Sequence, residues 1–355
     1  MTTLPIPRDL PLPLPVSRQV LEVLLVGFFI LHILFVNLMV GGSVLALGFE
    51  IFGLRRPGAR SIAKAIGRTI TVNKSLAVVL GVGPLLAMNL LHTVHFYTAN
   101  ALTGTAWALV IPLVTVAFLL TYAHKYSWQR LAAYPRSHLA VGAVATGFFL
   151  VIPLIFLVNA NLMLFPESWT SVQGFLQALQ LPNVLPRYGH FLLSSMAVTC
   201  LFLAGWMGRP GFPVEDSLPG WSRPQLRRMF YRGTLWVSLA QFLMGPWVYF
   251  SLPRPGVTPR LIAAILGGVA FAIAAILLLR QEINAPDTET GRRFWPIAGF
   301  LSATVLLMAT GRHFYREDRL HPHQILIESA TRDYQEAARA ARMNSQDSSS
   351  SPQNP

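Results

Sequence analysis

Hydrophobic residues in this chain gather into long uninterrupted runs, without the strict alternation of strands or the narrow stripe of a surface helix. Eight runs stand out, at about Gln19–Leu54, Ile70–Thr98, Thr105–Trp128, His138–Phe165, Tyr188–Met207, Tyr231–Leu252, Leu261–Leu279 and Phe294–Thr310. A bilayer core about 30 Å thick takes roughly 20 apolar residues of helix. In lipid the backbone is satisfied only in helices or closed barrels, and barrel strands alternate apolar with polar residues. The pattern predicts an all-α fold, a polytopic transmembrane helix bundle of about eight spans. Three regions follow: a proline-rich outer segment over 1–17, the bundle over 18–312, and a polar outer tail over 313–355. Within the tail, Gln324 to Met343 reads as a short amphipathic helix, and the composition from about Asn344 predicts disorder.

Loop charges orient the runs. Arg55, Arg56, Arg60, Lys64 and Arg68 follow the first run, and Lys125, Arg130 and Arg136 the third. Arg209, Arg223, Arg227, Arg228 and Arg232 follow the fifth, and Arg280, Arg292 and Arg293 the seventh. The alternate loops hold only Arg187, or Arg254 and Arg260, or no basic residue. The positive-inside rule then makes the basic loops cytoplasmic and puts both termini outside, which agrees with an even number of spans. The expected location is a bacterial inner membrane.

Composition sharpens this picture. Of 355 residues, 53% are hydrophobic and 12% charged, against roughly 25% charged in soluble domains. The net charge of +13 lies mainly in loops. It therefore reads as topology and headgroup contact, with no nucleic-acid partner. Cys200 is the only cysteine. That excludes an intrachain disulfide, covalently attached c-type haem and an iron–sulfur cluster held by this chain alone. The N-terminus lacks the basic lead and short apolar stretch of a cleavable signal, so the first run reads as a retained span.

Candidate chemistry rests on the nine histidines. His32 lies within the first run, His92 and His95 near the outer end of the second, and His190 at the outer start of the fifth. His124 and His138 fall at inner ends and read as interfacial; His313, His321 and His323 belong to the tail. Ionisable groups within a membrane default to function. Imidazoles from two helices, or an imidazole and a thioether, can hold a haem iron. His92 and His95 share a helix face. Met88 and Met244 are candidate thioether ligands, and Arg187 a candidate partner of a haem propionate. Each also has a structural reading: a histidine bonded to a neighbouring helix or to headgroups, a packing methionine, an interfacial arginine. Glu22, Asn37, Asn89, Asn159, Asn161 and Gln241 read as helix glue or cavity lining, and Lys74 as a snorkelling cation. Gly41, Gly42, Gly81 and Gly83 read as close helix contacts, and Pro84, Pro112 and Pro153 as kinks.

Four stretches carry a family resemblance. LHILFVNLMVGGSVLAL with His32, NKSLAVVLGVGP (Asn73–Pro84), LVNANLMLFPESW (Leu157–Trp169) and RYGHFLLSSMAVTCLFLAGW (Arg187–Trp206) occur in that order. They resemble the first, second, fourth and fifth helices of subunit I of the cytochrome bd quinol oxidases. The resemblance covers about Gln19 to Trp206 and implies that His32 ligates a haem and that His190 ligates a low-spin haem b. The chain departs from the family in three ways. No acid lies in Thr105–Trp128, only about six residues separate runs six and seven, and the seventh run has no methionine, which leaves Met244 as the substitute. The expectation is therefore an electron-transfer subunit with haem b, most simply two, rather than an oxygen-reducing one. It would link a quinone or quinol to other respiratory-complex subunits, including a periplasmic c-type cytochrome. A transporter or permease and a non-catalytic scaffold subunit are the alternatives.

Overall fold

A computed structural model describes residues 6–7, 9 and 14–349, with side chains described except at 71–74 and 343–349. Most of the proline-rich segment, the side chains of Asn73 and Lys74, and residues 350–355 thus lie outside the described residues. The described residues form helices and no strand. In order these are α1 (Arg18–Gly53), α2 (Pro57–Leu91), α3 (Thr93–Leu102), α4 (Gly104–Tyr126), α5 (Pro135–Leu162) and α6 (Phe175–Leu179). There follow α7 (Val184–Gly208), α8 (Val214–Ser217), α9 (Arg223–Phe250), α10 (Pro259–Asn284) and α11 (Phe294–Ser349).

Six helices are long and apolar enough to cross a membrane: α1, α4, α5, α7, α10 and α11. A seventh is added if α2, whose segments Pro57–Ile70 and Ser75–Leu91 meet at 44°, counts as one span. The remaining expected run, the sixth at Tyr231–Leu252, covers α9 beyond its first two turns. It is helical but interrupted by Arg232, Gln241 and several aromatic residues, and the start of α9 carries Arg223, Arg227 and Arg228. Large apolar side chains such as Val79, Ile111, Leu119, Leu243 and Leu266 stand exposed around the bundle. So much exposed apolar surface belongs in lipid, as in a multi-pass membrane protein.

The bundle is built from helical hairpins: α1 with α2, α4 with α5, α7 with α9, and α10 with α11. Helix α1 is central and also touches α5, α7 and α11. The end at which α1 begins is termed the upper end. Proline opens α2, α5, α9 and α10, where its missing N–H costs no helical bond. A reciprocal Ser222–Gln225 capping box also opens α9. Pro84, Pro112 and Pro153 lie inside helices that continue through them.

Three glycine contacts set the register. A Cβ on Gly53 would lie 2.9 Å from Arg60 N, and one on Gly81 would lie 2.8 Å from His32 Cε1, so α1 and α2 run antiparallel in close contact. A Cβ on Gly41 would lie only 2.2 Å from the carbonyl oxygen of Ser195, which brings the α1 and α7 backbones together. At that crossing the Ser195 hydroxyl donates to Asn37 Oδ1 (2.9 Å), and the Thr199 hydroxyl donates to the Asn37 carbonyl (3.0 Å). Asn37 is thus glue between helices, as its place in the first run predicts.

Polar residues do not end α11. It continues without interruption from the apolar run through the tail to Ser349, passing Pro322 and reaching beyond Asn344. The tail helix expected over Gln324–Met343 is part of this single element.

Gly41→Leu should force α1 and α7 apart and cost on the order of 1–3 kcal/mol. The expected result is a lower melting temperature in detergent by scanning fluorimetry. Gly48→Leu, where nothing lies within 4 Å of the new Cβ, should leave the melting temperature unchanged.

Candidate functional site

The upper end of the bundle concentrates the predicted residues. On α1, the Nδ1 of His32 lies 2.7 Å from the Ala77 carbonyl of α2. A carbonyl can only accept, so Nδ1 carries the hydrogen and Nε2 holds the lone pair. Small Gly81 leaves room for the ring. On α7, neither ring nitrogen of His190 has a hydrogen-bond partner among the described residues, and its Nδ1 is buried. The His190 carbonyl accepts from Gln241 Nε2 (3.1 Å), which also reaches the Ser194 hydroxyl (2.6 Å). This bond ties α7 to α9. Helix α9 also brings Met244 against Gly189, where a Cβ would lie 3.0 Å from the Met244 methyl.

The register places these two histidines together in depth. Asn37 bonds to Ser195, and α1 and α7 run parallel. His32 and His190 each lie five residues above that link, about 7.5 Å at 1.5 Å per residue.

Arginines gather above the histidines. Arg187, one turn before His190, donates to Asn161 Oδ1 (3.1 Å). Arg312 of α11 sits over the Phe29 ring of α1, 5.3 Å from its centre. Arg316, one turn on, donates to His313 Nδ1 (2.9 Å), and its Nε is 3.8 Å from Glu317. These three guanidiniums lie near enough to repel one another. Arg187 and Arg312 have no carboxylate partner among the described residues. The Arg312 side chain is exposed, on the side of α11 that faces Phe29 of α1.

His92 and His95 face a different set of groups. The His92 Nε2 lies 3.0 Å from Glu317 Oε1 but out of line for a hydrogen bond, and its Nδ1 is 3.2 Å from Gln324 Nε2. Glu317 Oε2 accepts from Arg18 (2.6 Å). The His95 Nε2 is 3.0 Å from His323 Nδ1, and both rings pack edge-on to Trp169. These contacts clamp the polar part of α11 onto the tops of α1 and α3. Asp318 adds an ion pair to Arg260 of α10, and Arg319 pairs with Glu167 (2.5 Å). Beside the clamp, a cleft of about 490 Å³ is lined by Arg18, Glu22, Glu317 and His321, among others. Met88 lies in an apolar cluster with Leu21, Leu25, Ala87 and Leu91, below the His92 break.

The structure thus sets His32 against α2, gathers His190, Arg187 and Met244 where α7 meets α9 and α5, and sets His92 and His95 against α11. Arg312 and Arg316 are additional site residues. Their signal in the sequence was faint: two arginines just past the apolar run of α11, spaced four residues apart and so on one face. No protein-family model matches the chain, and no curated protein matches it.

Glu317→Gln should weaken the clamp, because Arg18 loses a charged acceptor and His92 a neighbouring carboxylate. Amide hydrogen exchange over residues 313–330 is expected to rise about ten- to hundredfold, as for a lost hydrogen bond to a charged group. Exchange within α1 and α7 should stay at the level of the unsubstituted protein.

Proposed function

We propose that this chain is an electron-transfer subunit of a bacterial inner-membrane respiratory complex and holds b-type haem at the upper end of the bundle. The observation behind this reading is a double deficit in one place. His190 offers an imidazole without a partner, while Arg187 and Arg312 offer guanidiniums without a carboxylate. Cations held against a low-dielectric bundle without a counter-charge are costly. A haem answers both deficits, since its iron takes an imidazole nitrogen and its two propionates take guanidiniums.

His190 would ligate one haem, with Met244 the nearest thioether on α9. His32 would ligate a second. Its Nδ1–H bond to the Ala77 carbonyl is the outer-shell arrangement that leaves Nε2 basic and aimed. When bound, b-type haem supplies one-electron redox chemistry. The protein's part is to orient the ligands, neutralise the propionates and raise the potential through the arginine charges. In this reading all eight runs span the membrane and both termini are periplasmic. Electrons from a quinol then leave at the upper end to a partner such as a c-type cytochrome. The resemblance to cytochrome bd subunit I supports the ligand pair, and the absence of an acid in α4 keeps oxygen reduction out of the proposal.

The purified protein should show a b-type reduced-minus-oxidised spectrum and a b-type pyridine haemochrome. His32→Ala and His190→Ala should each lower haem content by about half if each holds one haem. Full haem content in both variants would overturn the ligand assignment, and a haem-free protein made with ample haem would overturn the function. Arg312→Leu should keep the haem but lower a midpoint potential by on the order of tens of millivolts, because a nearby positive charge favours the reduced state. For topology, alkaline phosphatase fused after residue 343 should be active, and fused within 127–134 it should be inactive.

A further inference from the structure

A second cluster lies at the opposite end of the bundle and takes no part in the proposed electron transfer. Glu50 in the last turn of α1, His124 in the last turn of α4 and His138 in the first turn of α5 meet there. Side-chain exposure is 2% for Glu50, 0% for His138 and 12% for His124. The His124 Nε2 lies 2.8 Å from Glu50 Oε2, and His138 Nδ1 is in very short contact with Glu50 Oε1. All three ligand atoms fall within 4.8 Å of one another. A Cβ on Gly142 would lie 2.8 Å from the His124 ring, so glycine at that position makes room for the imidazole.

The hydrogen bonds of His138 call for a positive charge. Its Nε2 is 3.0 Å from the His124 carbonyl, which can only accept. Nε2 therefore carries the hydrogen, and in neutral imidazole Nδ1 is then a bare lone pair. That lone pair faces a carboxylate oxygen. Two acceptors in contact need a cation between them. Imidazole bonded through its second N–H to a backbone carbonyl is also the usual arrangement of a metal-bound histidine. Trp128 covers the site, its ring tilted 49° to that of His138 with ring centres 4.2 Å apart. Beside the cluster a void of about 30 Å³ is lined by Ser43, Thr121 and Thr146 as well as Glu50 and His124. A void of that size holds about one water, the natural fourth ligand.

We infer that Glu50, His124 and His138 form a binding site for one divalent transition-metal cation at the lower end of α1, α4 and α5. Two nitrogens, one carboxylate oxygen and a water suit Zn²⁺, Co²⁺ or Fe²⁺ better than the hard cations Mg²⁺ and Ca²⁺. Bonds of about 2.0–2.1 Å set neighbouring ligand atoms roughly 3.3 Å apart. The carboxylate therefore swings away from His138 as the ion binds. The ion ties three helices that are otherwise joined at this end by the Glu50, His124 and His138 contacts and by apolar packing.

The test uses full-length protein in detergent, stripped with chelator and titrated with Co²⁺. The expected result is about one Co²⁺ per chain, with the visible ligand-field bands of a four-coordinate site. Zn²⁺ should displace it and raise the melting temperature. Haem iron does not interfere, because the added metal is cobalt. Glu50→Gln and His124→Gln should each weaken Co²⁺ binding at least about tenfold, as loss of a ligand does, while His321→Ala at the upper end should not. If either variant misfolds, the unsubstituted protein alone decides. A folded, stripped chain that takes up no Co²⁺ or Zn²⁺ overturns the inference and assigns the charge to an imidazolium at His138. Binding that survives both substitutions overturns it as well.

Discussion

The contact of Asn37 and Gly41 on α1 with Ser195 and Thr199 on α7 fixes the geometry on which the rest of the bundle depends. Lipid supplies no hydrogen bonds and no hydrophobic drive between helices, so small residues and polar side chains must hold a crossing together. Here a glycine lets the backbones meet, and an asparagine receives hydroxyl hydrogens from two turns of α7. With that register locked, His32 and His190 share a depth. Because α1 is long, the same helix carries Glu50 to the far end, 18 residues below His32. One helix thus contributes a residue to each of two separate polar centres, and α7 indexes only the upper one.

Charge is distributed unequally between those centres. The upper end holds guanidiniums in excess of carboxylates, since Glu317 is shared among Arg18, Arg316 and His92. The lower cluster has its acid between two imidazoles. Each imbalance is costly in a low-dielectric interior, and each has the sign that a bound group of opposite charge would correct. The proposed haem would supply anionic propionates to the first, and the inferred metal a divalent cation to the second.

Much of this architecture is legible in the sequence, because a membrane span announces itself through length and apolarity alone. The runs Thr105–Trp128 and Tyr188–Met207 lie within a few residues of α4 and α7. Asn37 and Gly41 read as glue and close contact from their positions in the first run, since polar and small residues in a span have few other uses. The polar contacts across the upper end are not legible in this way. Arg18 and Glu317 are 299 residues apart and His95 and His323 are 228 apart, and no periodicity links them. Glu50 is hidden for a related reason. An acid at the end of a span reads as interfacial until the fold brings up His124 and His138, 74 and 88 residues away. The course of α11 is hidden too, because past Thr310 its apolar residues are sparse and its helix is held largely by ion pairs to other elements.

That continuous α11 has a mechanical consequence. At about 1.5 Å per residue its 56 residues measure roughly 80 Å, far more than a bilayer core requires. Arg312 and Arg316 ride on the same rod that Arg18, His92, His95 and Arg260 grip higher up. Those grips fix the rotation of the helix about its axis, so the direction in which Arg312 and Arg316 project is set by contacts within about three turns of them.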